Sequence, residues 1–289
     1  LFFKCENFQE PGAFKVRGAT NAVFGLDDEK AKAGVATHSS GNHASCLSYA
    51  AMLRGIPCNV VMPKTAPQAK KDTVGRYGGV ITECEPSTTS REETFAKVQA
   101  QTGGDFVHPY NDPRVIAGQG TCGLEIAEQA AENGIKDADV IVCCGGGGLT
   151  SGIALALEGH APGLRTRPVE PENFDDVARS LVAGKICCNA RRSGSLCDAI
   201  ISPQPGDITF PILHRLCGPG IVVTEDEALR AVALAFSRLK IVLEPGGAVA
   251  LAAALFHPDQ TEGDTVIAVA TGGNVDAGVF QNALTRFAG

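Results

Sequence analysis

No cluster of lysines or arginines stands out along this chain of 289 residues. Its 25 basic side chains against 32 acidic ones leave a net charge of −7 and a pI near 5.4. A phosphate backbone needs a basic face, so the composition argues against nucleic acid as a partner. The longest apolar run near the end, residues 246–256, falls well short of the ~20 residues of a membrane-spanning helix and reads as a buried helix. The start, Leu1-Phe2-Phe3-Lys4-Cys5, is strand-like, with no basic n-region and no cleavage site, so no secretory signal is visible. No Met opens the chain, which leaves a fragment of a longer protein as one reading. The eleven cysteines show neither CxxC spacing nor neighbouring metal-ligand patterns. Spread through so long a chain they read as reduced, mostly buried thiols, which points to a reducing compartment, cytosolic or organellar, with the cytoplasm as the expected location. The adjacent pairs Cys143-Cys144 and Cys187-Cys188 point their side chains to opposite sides of a strand and make poor bridges.

What is present is an α/β rhythm. With 44% hydrophobic residues the chain can build one large domain or two modest ones. Short β-rich runs at residues 35–37, 58–62 and 80–84 alternate with helical patterns ending at Arg54, spanning 66–77 and spanning 89–101. Gly55 and Gly78 sit where left-handed helix ends are wanted. The later half repeats this logic with a strand at 139–144, a glycine run, a helix from Leu149, and a strand at 265–270 before a final helix. Such βαβ repetition predicts parallel sheets covered by helices, with ligands at the carboxyl ends of strands. No internal repeat and no low-complexity linker occurs.

Four segments carry unusual residues. Gly12-Ala13-Phe14-Lys15-Val16-Arg17-Gly18 places a lysine among small and apolar neighbours at a helix start; it is either an ordinary surface lysine or a desolvated, imine-forming nucleophile. Thr37-His38-Ser39-Ser40-Gly41-Asn42-His43 joins a strand to a helix and suits a carboxylate at the helix start, a role compatible with a plain serine N-cap. Cys144-Gly145-Gly146-Gly147-Gly148-Leu149 is neither G-x-G-x-x-G nor a Walker loop, and reads as a phosphate cradle rather than a merely flexible turn. Ala270-Thr271-Gly272-Gly273-Asn274 lies at another strand end, where the hydroxyl can also serve as a helix cap.

In this order the four segments resemble the fold-type II pyridoxal-phosphate enzymes, in the branch of serine racemase and the serine, threonine and 3-hydroxyaspartate dehydratases. The resemblance extends to the opening strand, to Ile116-Ala117-Gly118-Gln119-Gly120-Thr121 and to Leu243-Glu244-Pro245. The first helices of that family are absent from this sequence. The cysteine-synthase branch is disfavoured, because it carries a different lysine motif and a threonine-rich phosphate loop.

The resemblance implies a tryptophan-synthase-β-like fold with two open, twisted, mostly parallel sheets and helices on both faces. A large cofactor domain takes residues 1–33 and 112–289, and a small mobile domain 34–111, with the active site in the cleft. It also implies that Lys15 holds pyridoxal 5'-phosphate as an imine and takes the Cα proton, while Ser40 returns a proton on the opposite face. Phe14 lies on the ring, Asn42 bonds its phenolic oxygen, and Gly145, Gly146, Gly147 and Gly148 hold the phosphate. Glu244 belongs to the cofactor site, and Thr271 meets the pyridine nitrogen. Ser39, Asn42, His43, Arg91 and Ser202 take the substrate. Glu170, the Phe174 carbonyl and Asp176 match a cation site suited to Mg²⁺, Ca²⁺ or Mn²⁺, although an acidic helix start at Asp175-Asp176 would look the same.

The expected activity is β-elimination of serine, threonine or 3-hydroxyaspartate to a 2-oxo acid and ammonia by a homodimer. Serine racemisation is the alternative, carried by Ser40. A cofactor-binding protein without catalysis, or a truncated fragment, is the third. Tyr110 and Ser45 depart from the asparagine and glutamine of animal racemases, which argues against activation by ATP. Ala13 and the Cys197-Asp198-Ala199 run also depart from the family pattern.

Overall fold

A computed structural model describes residues 1–288, Thr88 by its backbone alone. It holds two compact units: Leu1–Phe14 together with Gln119 onward, and Lys15–Gly118. The sequence-based boundary for the second unit lies at 34–111. The compact unit is longer because Ala19, Ala22 and Val23 of the helix Lys15–Phe24 share one buried cluster with Leu47 and Ala50 of the helix Asn42–Arg54.

The first unit is built on a five-stranded sheet of β1 (Phe2–Cys5), β6 (Ala138–Cys143), β7 (Leu164–Pro171), β8 (Ile221–Val223) and β9 (Val266–Ala270), in the order β1-β9-β6-β7-β8. Every ladder in it is parallel. Along β6 the side chains alternate between two cores. Ala138, Val140 and Val142 pack with Leu149, Ile153 and Leu157 of the helix Gly148–His160, while Ile141 and Cys143 pack with the helix Pro245–Phe256. A period of two thus buries both faces of the sheet. The helix at 245–256 has nine consecutive buried residues from Pro245 to Ala253, as its unbroken apolar sequence requires.

The second unit holds β2 (Val35–His38), β3 (Cys58–Pro63), β4 (Val80–Cys84) and β5 (Asp105–Phe106), in the order β4-β3-β2-β5 and again parallel. Here Val35, Cys58, Val60 and Met62 face the helix Asn42–Arg54, and Ala36 and Val61 face Phe95 and Val98 of the helix Thr88–Thr102. Gly55 ends its helix in the left-handed region, and Gly78 follows the capping residue Tyr77 at a φ of +75°. None of the eleven cysteines is joined in a disulfide. Among the described residues, no helix is long and apolar enough to cross a membrane.

One close approach depends on a missing side chain. At Gly118, in the helix Pro113–Glu132, an added Cβ would lie 2.6 Å from the Arg17 carbonyl oxygen and 2.6 Å from the Gly18 Cα, both main-chain atoms of the neighbouring helix. Backbone cannot swing aside as a side chain can. Gly118→Ala is therefore expected to destabilise by about 1–3 kcal/mol, read as a lowered unfolding midpoint in urea.

Candidate active site

The glycine loop follows β6 and opens the helix Gly148–His160, with Gly147 as its N-cap at φ +90°. No side chain caps this helix, so its first-turn N–H groups and the positive end of its dipole face an anion-accepting position. The loop is fixed from behind. The Gly146 carbonyl accepts bonds from the Thr209 hydroxyl at 2.6 Å and from the Gly206 N–H at 3.2 Å. Ser202 Oγ sits beside the loop, 3.1 Å from where a Gly145 Cβ would be.

A second strand end lies in the same unit. Phe14 N–H donates to the Thr271 carbonyl at 3.0 Å, Ala13 pairs antiparallel with Gly272, Gly273 N–H donates to the Gly12 carbonyl at 2.9 Å, and Asn274 Nδ2 donates to the Pro11 carbonyl at 2.9 Å. This zipper sets the buried Phe14 ring beside the end of β9, immediately before Lys15. From the other side, Glu244 N–H donates to the Gly272 carbonyl at 3.0 Å, and Glu244 is only 6% exposed. Thr271 Oγ1 is buried 3.2 Å from Cys143 Sγ.

Glu170 and Asp176 form a buried acidic pair, each 1% exposed. Both Glu170 oxygens accept backbone N–H bonds, from Val177 at 2.9 Å and Ala178 at 2.7 Å. Burial, and then the Asp176 charge, push the Glu170 carboxyl well above the usual range; burial likewise raises Asp176. Asp176 Oδ1 accepts from Asn189 Nδ2, which also donates to the Ser202 carbonyl at 2.8 Å, while Asp176 Oδ2 is buried with no partner. No group of three or more His, Cys, Asp or Glu side chains able to hold a metal occurs among the described residues. The expected set there is two carboxylates and a main-chain carbonyl.

In the second unit Lys15 is the first residue of its helix, and its amine donates to the Pro109 carbonyl at 2.7 Å. The segment around Pro109 is the hub of this unit. The Val107 carbonyl accepts from Thr37 Oγ1 and from His43 Nε2, each at 3.0 Å. His108 Nδ1 accepts from the N–H groups of Tyr110 at 3.3 Å and Asn111 at 2.9 Å. Arg114 clamps the segment's ends through Asp105, Asp112 and the Phe106 carbonyl.

Since His43 Nε2 faces a carbonyl it carries the ring proton, and burial followed by the Lys15 charge holds the pKa of this histidine down to about 3. His108 is pushed down to about 4 by burial and the nearby His38. Ser39 Oγ accepts from Gly41 N–H at 3.4 Å, and Gly41 is the N-cap of the helix Asn42–Arg54, again without a side-chain cap. Ser40 precedes it, half-buried. His43 Nε2 is occupied by the Val107 carbonyl, while His43 Nδ1 is buried with no hydrogen-bond partner. Arg91 Nε is buried with no partner.

Each unit thus gathers a compact share of the expected residues: Phe14, Glu244 and Thr271, the glycines with Ser202, and the acidic pair in the first; Lys15, residues 39–43 and Arg91 in the second. Sequence reasoning missed Asn189, the 107–112 hub and the thiol of Cys143. The first two lie in irregular segments without periodicity. Burial pushes the thiols of Cys197 and Cys217 up to about 12 and that of Cys58 up to about 11, which makes them poor nucleophiles.

The sequence profile of the family described as pyridoxal-phosphate dependent enzyme matches residues 1–272. A beta-hydroxyaspartate dehydratase of Paracoccus denitrificans (strain Pd 1222) is 61% identical over 277 residues, covering 96% of this chain and 86% of its own. A serine racemase of Arabidopsis thaliana is 45% identical over 284 residues, covering 96% and 84%. Maize serine racemase superimposes with a TM-score of 0.91 at 42% identity, covering 98% of this chain and 86% of that one.

The histidine shift has a pH consequence. His43 in the unfolded chain binds a proton near pH 6.5, and in the folded protein only near pH 3. Its contribution is therefore present above about pH 6.5 and is lost as the pH falls toward 3. His43→Gln should flatten the fall of thermal stability between pH 6.5 and 5, measured by circular dichroism melts.

Proposed function

Because this chain belongs to the pyridoxal-phosphate dependent enzyme family, we propose that it is a lyase that eliminates water from a β-hydroxy amino acid, with 3-hydroxyaspartate, serine and threonine as the candidate substrates. The observation that carries this is the 61% identity over 96% of the chain to a beta-hydroxyaspartate dehydratase. The products are a 2-oxo acid and ammonia.

The residues present fit the cofactor. Gly147, with its positive φ, opens a helix that no side chain caps, which suits a phosphate. Phe14 is apolar and buried beside Thr271, which suits an aromatic ring with one polar edge. When bound, pyridoxal phosphate supplies the sink for the electron pair left at Cα. Residues 145–148 would hold its phosphate through their N–H groups, Phe14 would lie on the ring, Asn42 would bond the phenolic oxygen, Glu244 would border the ring, and Thr271 would face its nitrogen.

Lys15 would anchor the cofactor and, once freed as an amine, take the proton from Cα; the Pro109 carbonyl would steady that amine while it is free. The hydroxyl leaves from Cβ as water after gaining a proton. The enamine so formed takes up water and releases ammonia. The substrate carboxylate sits at the start of the helix Asn42–Arg54, met by Ser39, Asn42 and the main-chain N–H of His43, with Arg91 and Ser202 making further contacts.

Glu170, the Phe174 carbonyl and Asp176 would hold Mg²⁺ or Ca²⁺. The unpartnered Asp176 oxygen beside a second buried carboxylate supports this, because a cation would offset their repulsion. The same reading takes the protein as a cytoplasmic homodimer, the reducing compartment being supported by eleven cysteines outside disulfides.

A second activity is supported by Ser40 and by serine racemases at 43–45% identity. Ser40 returns the Cα proton on the face opposite Lys15, which turns L-serine into D-serine.

The test is release of 2-oxo acid and ammonia from 3-hydroxyaspartate, L-serine and L-threonine by the cofactor-loaded protein. Lys15→Ala should abolish both the visible absorbance band and the products, and no product from any of the three substrates would refute the lyase reading. Ser40→Ala should remove D-serine formation and leave elimination in place. Gly147→Ala places a Cβ at φ +90° within 2.8 Å of Leu213 Cδ1 and 2.9 Å of Thr209 Oγ1. It should weaken pyridoxal-phosphate binding by at least about 10-fold, the equivalent of ~1.4 kcal/mol of backbone strain, measured by titration of the cofactor.

A further inference from the structure

Thr271 is held on three sides. Its carbonyl accepts from Phe14 N–H at 3.0 Å, its N–H donates to the Gly247 carbonyl at 3.4 Å, and its hydroxyl lies 3.2 Å from the thiol of Cys143. Both side chains are 3% exposed, so water does not compete for this contact. Cys143 ends β6 on the face covered by the helix Pro245–Phe256, and strand and helix together fix where its sulfur stands.

We infer that Cys143 is a positioning residue that turns the Thr271 hydroxyl hydrogen toward the ring nitrogen of the cofactor. The inference rests on the reading above that Thr271 faces that nitrogen.

The argument is one of matched donors and acceptors. A hydroxyl offers one hydrogen and two lone pairs; a thiol is a weak donor and a weak acceptor; a pyridine nitrogen is a strong acceptor. If the hydroxyl gave its hydrogen to sulfur, the strong donor would meet the weak acceptor, and the nitrogen lone pair would be left facing oxygen lone pairs. With S–H donating to Oγ1 and O–H donating to the nitrogen, all three groups are satisfied, which matters most where burial makes an unmade bond expensive. The thiol also selects the threonine rotamer. A β-branched side chain is stiff at χ1, and a flip that exchanged Oγ1 for the methyl group would take the hydroxyl away from both the sulfur and the nitrogen. The ring nitrogen is then met as an unprotonated acceptor.

The experiment uses holoenzyme reconstituted with ¹⁵N-labelled pyridoxal phosphate, reading the ring ¹⁵N chemical shift and the cofactor dissociation constant. Cys143→Ala should displace the ring signal and weaken the cofactor by about 3- to 10-fold, the range of one lost hydrogen bond. Cys143→Ser, which retains a donor hydrogen at that place, should stay close to the parent in both. Thr271→Val should displace the signal at least as far as Cys143→Ala.

Parent-like values for Cys143→Ala overturn the inference, and so does a folded Cys143→Ser as damaged as Cys143→Ala. Should Cys143→Ala fail to fold, Cys143→Ser decides alone: near-parent values support the inference, and a shift equal to that of Thr271→Val overturns it. An unmoved signal in Thr271→Val has a different meaning, since it removes the contact of Thr271 with the ring on which the inference stands.

Discussion

The arrangement depends first on three hydrogen bonds, two main-chain and one from an amide side chain, that lace residues 11–14 to residues 271–274. They join two stretches more than 250 residues apart in sequence. Through them the buried Phe14 is fixed at the end of β9, and the chain then turns directly into the helix that starts at Lys15. The proposed roles of Lys15 in covalent and general base chemistry call for a preorganised backbone, and the bonded segment just before it supplies one.

Charge is handled in two ways. Near Lys15 burial holds the histidines neutral; His43 Nε2 bonds the Val107 carbonyl and His108 Nδ1 accepts from Tyr110 and Asn111. They brace the hub at 107–112 without adding positive charge. The acidic pair at Glu170 and Asp176 is left with raised carboxyl groups and one unpartnered oxygen. Each arrangement leaves one buried polar atom without a partner, His43 Nδ1 in the first and Asp176 Oδ2 in the second.

Much of the fold was legible in the sequence where periodicity is simple. The strand at 80–84 coincides with its predicted span, and those at 35, 58 and 266 shift by a residue or so. The inner strand β7 escaped, because Arg165, Arg167 and Glu170 interrupt its apolar pattern. Its buried Arg167 is neutralised by Asp139 of the adjacent strand at 3.1 Å, a pairing that no local window contains. The helix Lys15–Phe24 and its lysine were legible from composition and motif, but its place in the second unit follows from side chains 30 residues further on. The tie of Asn189 to Asp176, and that of Cys143 to Thr271 across 128 residues, are long-range contacts without a local signature.

The two glycine N-caps, Gly41 and Gly147, have a thermodynamic meaning beyond recognition. Elsewhere in the chain Asp27, Ser87, Thr224 and Asp276 close helix starts with their own side chains, an economy worth about 1 kcal/mol each. At Gly41 and Gly147 that stabilisation is transferred to whatever anion binds. A ligand at 100 times its dissociation constant then adds about 2.7 kcal/mol to the folded state, comparable to several such caps. Folding stability and ligand supply become one variable, so the quantity of this protein that survives quality control in a cell tracks the concentration of its cofactor.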